Sequence, residues 1–167
     1  MSKAFTKGDE GVPDVPSRPV VRLAPGETRY ITAEGHAALS DQLRVLKESD
    51  RPAAQAAPDI ERRQKLAEVD AKIAALEALL AAVTIAPEVP ANPERVVFGA
   101  WVELEDENGQ RARWRIVGPD EADPKAEKLS VQSPIARALL GKAAGDVVTV
   151  ERPSGAVELE VLAVAAS

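Results

Sequence analysis

The sequence predicts an α+β protein: an antiparallel helical hairpin followed by a smaller domain built on an antiparallel sheet with one short helix. Three observations lead there. Apolar residues recur at spacings of three and four over residues 30–86, the pattern switches to alternation after Val96, and a proline-rich stretch separates the two regimes.

Residues 1–28 come first, with Pro13, Pro16, Pro19 and Pro25, three glycines and scattered apolar residues. Such a composition buries too little surface to offset the entropy of ordering, so residues 1–29 read as a flexible tail. Tyr30-Ile31-Thr32 opens the first helix, with Thr32 as cap and Leu39, Leu43 and Leu46 along one face. The sequence predicts its end at Arg51-Pro52, since the residue before a proline is pushed out of the helical region. Ala53 to Ala57 is then a short connector. Pro58 marks the next start, and Leu66, Val69, Ile73, Leu76, Leu80 and Val83 form a coiled-coil seam along a helix from about Asp59 to Val83. That helix would be roughly 37 Å long. Two narrow apolar seams joined by a short link fold back on each other, because neither is buried alone in water.

Pro87, Pro90 and Pro93 make residues 87–95 a stiff linker, and residues 96–167 the second domain. Ala100, Val102 and Leu104 alternate with Trp101, Glu103 and Glu105; beyond Asn108-Gly109, Ala112, Trp114 and Ile116 alternate with Arg111, Arg113 and Arg115. A two-residue turn would mix apolar and charged faces. A three-residue loop, Glu107-Asn108-Gly109, with Gly109 left-handed, pairs Glu103 with Arg113, Glu105 with Arg111 and Val102 with Trp114. Lys128 to Val131 reads as a short strand, Ser133-Pro134 as cap and first turn of a helix stopping at Gly141, and Val147–Val150 and Val157–Val164 as the closing strands.

Composition excludes several kinds of chemistry. With no cysteine and one histidine there is no disulfide, no thiolate or histidine-rich metal site and no cysteine nucleophile. His36 has no nucleophile that the sequence can match to it. Glycines mark turns rather than a phosphate-cradling loop. Aromatic residues are only 3% of the chain, too few for rows of stacked bases. Trp101 and Trp114 read as packing residues. The net charge is −6, with +1 over residues 1–29, −2 over 30–86 and −5 over 87–167, so neither folded half binds a phosphate backbone by charge alone. No run of about 18 apolar residues spans a bilayer, and the expected location is cytoplasmic. Carboxylates alone remain as metal ligands. Glu48, Asp50, Asp59 and Glu61 flank the connector and gather at the hairpin's free end, either as oxygen ligands that complete another protein's metal site or as surface ions neutralised by Arg51, Arg62 and Arg63.

Val97-Phe98-Gly99-Ala100-Trp101-Val102, Arg115-Ile116-Val117-Gly118 with Asp120-Glu121, and Ser133-Pro134-Ile135-Ala136-Arg137-Ala138-Leu139-Leu140-Gly141-Lys142 before Gly145-Asp146 resemble the GreA/GreB family of bacterial RNA polymerase regulators. Met1 to Thr6, Tyr30-Ile31-Thr32 and Gly35 resemble its GreB-like branch. The resemblance implies an FKBP-like domain docking at the rim of the polymerase secondary channel and a hairpin entering it. It implies a docking edge at Gln132, Ser133, Pro134, Ile135, Ala136 and Arg137; some relatives have an acid where this chain has Gln132. Cleavage-stimulating relatives carry a Gly-Asp-x-x-Glu-Asn-Ala-x-Tyr stretch at the tip, whose acids hold a second Mg²⁺ of the polymerase. Nothing between Lys47 and Asp70 matches it. No catalytic residue carries over, and each arm is shorter by roughly two turns, about 10 Å. The related regulators of nucleoside diphosphate kinase share this short hairpin.

The expectation is therefore a monomeric, non-enzymatic regulator of transcription elongation, bound to RNA polymerase, without cofactor or metal of its own. It meets nucleic acid only within the transcription complex. The alternative is a cleavage-stimulating factor that uses the four tip carboxylates. A prolyl isomerase, the third reading, needs an aromatic-lined pocket that two Trp, two Phe and one Tyr scarcely supply.

Overall fold

A computed structural model describes residues 23–167 of the chain; the expected tail over residues 1–22 lies outside them. The tail does not extend to residue 29, because Arg29 is fastened to Asp120 by two side-chain hydrogen bonds of 2.7 and 2.6 Å.

Strand β1 (Tyr30–Ile31) leads into helix α1 (Ala33–Val45). Thr32 is the cap, its hydroxyl accepting from the Gly35 N–H at 3.0 Å. The helical path does not stop at Pro52. A π-helical segment, Leu46–Asp50, joins α1 to α2 (Arg51–Gln55), and Arg51 keeps helical angles of −65° and −46°. The Arg51 N–H reaches back five residues to the Leu46 carbonyl. That wider turn opens the ladder at the place where proline offers no N–H and its ring crowds the preceding turn, so the chain passes through with a bulge instead of a break. The connector shrinks to Ala56–Pro58 before helix α3 (Asp59–Ala82).

The two arms close on Leu39, Leu46, Ile73, Leu76 and Leu79, which cluster with Ile31. Leu79 is a seam residue beside Leu80, which the heptad spacing selects alone; Leu80 is partly buried against the same cluster. Near the tip, α2 packs on α3 with the small side chains of Ala54 and Ala57 buried. At the other end, β1 pairs in parallel with β2 (Thr84–Ile85), tying the roots of both arms together.

The chain then runs without regular structure to Val96, whose N–H and carbonyl bond to Lys142 and Gly141 at 2.8 Å each. Beyond it lies a curled five-stranded sheet of order β5-β4-β3-β7-β6. Strands β3 (Trp101–Asp106) and β4 (Arg111–Val117) are paired as Glu103 with Arg113, Glu105 with Arg111 and Val102 with Trp114. Gly109 has φ +75° and its N–H bonds to the Asp106 carbonyl, which closes the three-residue loop. The sheet is mixed, contrary to the antiparallel expectation. After β4 the chain turns through Gly118–Asp123 and a 3₁₀ turn, Pro124–Ala126, and returns so that β5 (Lys128–Ser130) lies parallel to β4. Strands β6 (Val147–Arg152) and β7 (Gly155–Ala165) form the second hairpin, and a register shift on β7 opposite Glu103 and Leu104 adds to the curl. Helix α4 (Pro134–Leu139) covers one face, where Ala136, Leu139, Val102, Ile116 and Val161 are all fully buried. Trp114 packs on this core, while Trp101 lies on the other face under the Arg113 guanidinium, 4.3 Å from its ring centre.

Candidate functional site

Two surfaces follow from this build: the edge at the start of α4 on the head, and the tip of the arm. Gln132 and Ser133 form a turn off β5, where the Gln132 N–H bonds to Ser130 Oγ at 3.2 Å and the Ser133 N–H to the Ser130 carbonyl at 2.9 Å. Ser133 caps α4, its hydroxyl accepting from the Ala136 N–H at 3.2 Å, and Pro134 fits the first turn because no N–H is required there. Pro134 and Arg137 are exposed; Gln132, Ser133 and Ile135 are half-buried. Ala136 is fully buried. It belongs to the core beneath the edge, since the same helical face that carries Leu139 must cover the sheet, and it offers nothing to a partner.

At the tip, the four acids do not converge. Glu48 faces Arg44 at 3.8 Å, Asp59 pairs with Arg62 at 2.7 Å and Glu61 with Lys65 at 2.5 Å, each within its own arm. The Lys65 ammonium, through its hydrogen bond and its charge, lowers the Glu61 pKa. Asp50 is exposed in the π-helical segment. Among the described residues, no three His, Asp or Glu side chains come close enough together to hold a metal ion. The physical reason is local for three of them: Glu48, Asp59 and Glu61 each have a basic residue three or four positions away that satisfies them without crossing the hairpin, whereas Lys47, three positions before Asp50, reaches across to Glu77. The tip is mixed in character, with Asp59, 90% of its side chain exposed, beside an exposed apolar residue. Ile60, which the periodicity does not single out, is 91% exposed in the first turn of α3, between the exposed acids Asp59 and Glu61.

The arm's root is where the sequence reading saw least. Asp120 has only 5% of its side chain exposed and binds Arg29 in a two-pronged ion pair, raising the guanidinium pKa further. Arg115, largely buried, spans from the Gly99 carbonyl at 3.0 Å to Glu34 in the first turn of α1 at 3.2 Å. Glu34 has a lowered pKa, chiefly from its own backbone N–H, then from Arg115. His36, half-buried one turn into α1, donates its backbone N–H to the Thr32 carbonyl. Of this joint the sequence shows only the Asp120-Glu121 pair just after Gly118 and the arginine-rich strand β4, and not their partners.

Arm, joint and head define an α+β protein with a two-helix arm on a curled sheet, in which no helix of the described residues is long and apolar enough to cross a membrane. The family model described as "Transcription elongation factor, GreA/GreB, C-term" matches residues 91–166. Transcription elongation factor GreB of Pseudomonas aeruginosa is 40% identical over 142 residues, covering 77% of this chain and 84% of its own. Transcription elongation factor GreA of Psychrobacter sp. is 41% identical over 153 residues, covering 81% of this chain and 97% of its own. Among solved structures, Thermus aquaticus Gfh1 is 30% identical and covers 83% of this chain and 98% of its own, with a TM-score of 0.41. The chain belongs to the GreA/GreB family of transcription elongation factors.

Proposed function

We propose that this chain is a non-enzymatic, RNA polymerase-binding regulator of transcription elongation that does not stimulate transcript cleavage. In this reading an FKBP-like head, residues 96–167, docks at the rim of the secondary channel through Gln132, Ser133, Pro134, Ile135 and Arg137. A short coiled-coil arm, residues 30–86, enters the channel. The protein acts as a cytoplasmic monomer, without cofactor.

The observation that carries the reading is the chemistry of the tip. Glu48, Asp59 and Glu61 are each engaged by a base three or four positions away in the sequence, and an exposed apolar side chain, Ile60, stands between Asp59 and Glu61. A metal site that activates water needs oxygen ligands about 2.0–2.1 Å from the ion, held together in advance. Acids paired with their own neighbours and spread around an exposed Ile60 do not form such a ligand set, so the arm fills space and contacts protein or nucleobase. What remains is occupancy: the arm competes with cleavage factors and obstructs nucleotide entry or backtracked RNA.

The test is a stalled, backtracked polymerase complex incubated with the protein. The RNA is expected to keep its length while pausing or nucleotide addition changes. RNA shortened by the wild type, but not when Glu48, Asp50, Asp59 and Glu61 are replaced by their amides, would establish the cleavage-stimulating alternative instead.

A further inference from the structure

We propose that Glu121 is the positioning residue that sets the bearing of the arm on the head, and hence where the tip arrives. Its carboxylate lies against the start of α1. One oxygen accepts from the Thr32 N–H at 2.9 Å and from the Gly118 N–H at 3.2 Å; the other accepts from the Thr32 hydroxyl, which itself accepts from the Gly35 N–H. A single side chain of the head thus holds the cap of the arm's first helix and the backbone of its own loop at once. Thr32 is buried, and the negative charge stands at the helix end where it is favoured.

Two glycines make the contact possible. A Cβ on Gly35 would lie 1.9 Å from Glu121 Oε1, and a Cβ on Gly118 would lie 2.4 Å from the Tyr30 carbonyl oxygen. Neither position is a tight turn with positive φ. At Gly118 the loop after β4 meets the root of the arm backbone to backbone, and at Gly35 the Glu121 side chain takes up the space a Cβ would fill. A side chain at Gly118 forces the two backbones apart, and one at Gly35 displaces the Glu121 carboxylate from the helix cap.

The consequence is amplified by length. The helical path from Ala33 to Gln55 is about 34 Å long, so a change of 10° at the root displaces the tip by about 6 Å. The arm closes on its own apolar cluster, separate from that of the head, so its direction is not fixed by a shared core. It is fixed by contacts at the root, where the Tyr30 and Phe98 rings lie 5.9 Å apart and, among the polar contacts, the Glu121 group is the one that reaches the helix cap. The role assigned to the tip rests on the proposed function; the positioning itself does not.

The experiment therefore leaves polymerase out. The chain has no cysteine, so Ala56→Cys at the tip and Gln110→Cys on the head allow two spin labels to be placed cleanly, and pulsed electron resonance reads the distance between them. A narrow distribution is expected in the otherwise unchanged protein. Glu121→Ala and Gly35→Ala should at least double its width or shift its centre, and Glu121→Gln, which can still accept from Thr32 and Gly118 and donate to the threonine hydroxyl, should restore it. Gly35→Ala improves the helix propensity of α1, so a broadened distance there cannot come from a weakened helix. Should Glu121→Ala not fold, Gly35→Ala carries the same test. Distributions as narrow and as centred in Glu121→Ala and Gly35→Ala as in the parent would overturn the proposal. A polymerase assay that fails while the distances broaden counts against the proposed function alone.

Discussion

Arg51 Nε lies 2.7 Å from Asp70 Oδ1 and joins the two arms just below the π-helical segment. The pair sits where the first arm changes its winding, beside Pro52. Both side chains are about half exposed, at 47% and 49%, so solvent screens the attraction. Arg51→Ala or Asp70→Asn is expected to lower the stability by less than about 1 kcal/mol, with a coupling energy of the same small size in a double-mutant cycle read by urea unfolding. A coupling well above that would mean the pair is an organising contact of the arm.

The apolar seam should behave differently. Leu76 is 4% exposed at the middle of the arm's cluster, and truncation leaves a cavity between helices that have few other buried groups. Leu76→Ala is expected to cost about 2–5 kcal/mol. Because the head has its own core around Val102, Ile116 and Leu139, calorimetry should show the arm's transition falling while the head's is moved less.

Much of this build was legible in the sequence, and the rest was hidden for identifiable reasons. The register of β3 and β4 follows from the requirement that Val102 and Trp114 share a face with charges on the other, and the pairing of Glu105 with Arg111 at 2.8 Å obeys it. Thr32, Ser133 and Gly141 mark helix ends because cap chemistry is local. Pro52 misled, since a bulge that relieves a proline depends on how far the neighbouring turn can widen, which no spacing reports. The parallel entry of β5 was hidden for a similar reason: the strand is three residues long and its direction is set by the turn before it. The tip acids sit where the sequence put them, but Glu48, Asp59 and Glu61 are taken up by bases three or four positions away instead of converging. The joint between Arg29, Glu34, Asp120 and Arg115 depends on residues more than 80 positions apart, so a single sequence gives no hint of their pairing.

Acidification should loosen that joint from the Glu34 side. The folded pKa of Glu34 is depressed, first by its backbone N–H and then by Arg115, so its contribution is complete above the unfolded value of about 4.3 and is lost as the pH falls through the lower folded value. Glu34 is largely exposed, so the effect on global stability is small; the local titration is the sharper readout. In a carbon-detected NMR titration, Glu34 is expected to titrate below the usual glutamate range. Arg115→Ala should bring it only part of the way back, because the backbone bond remains. A full return would assign the whole effect to Arg115.

Ile60 offers a separation of stability from function. At 91% exposure it has almost nothing to lose on truncation, and Ile60→Ala should change the unfolding free energy by no more than about 0.5 kcal/mol. If the exposed Ile60 side chain is what the arm presents inside the polymerase, Ile60→Asp should weaken the effect on elongation while circular dichroism and thermal midpoint stay at the parent values. An unchanged effect on elongation would place the working contact further down the arm.

The docking edge calls for substitutions that spare the fold. Ser133 caps α4 through the Ala136 N–H, so replacing it removes a hydrogen bond worth about 1 kcal/mol along with any partner contact. Ala136 is buried, and a larger side chain there would disturb the core. Pro134 and Arg137 are exposed on the outer side of the same helix. Pro134→Glu and Arg137→Glu should leave the thermal midpoint within about 2 °C, since both side chains are exposed, the Ser133 cap is kept, and an acid is favoured in a first helical turn. Retention on immobilised RNA polymerase should fall at least tenfold for the pair, a loss of about 1.4 kcal/mol or more in binding. Equal retention of variant and parent would move the docking surface off this edge, and the next face to test would be the opposite side of the sheet, where Arg113 stacks on Trp101.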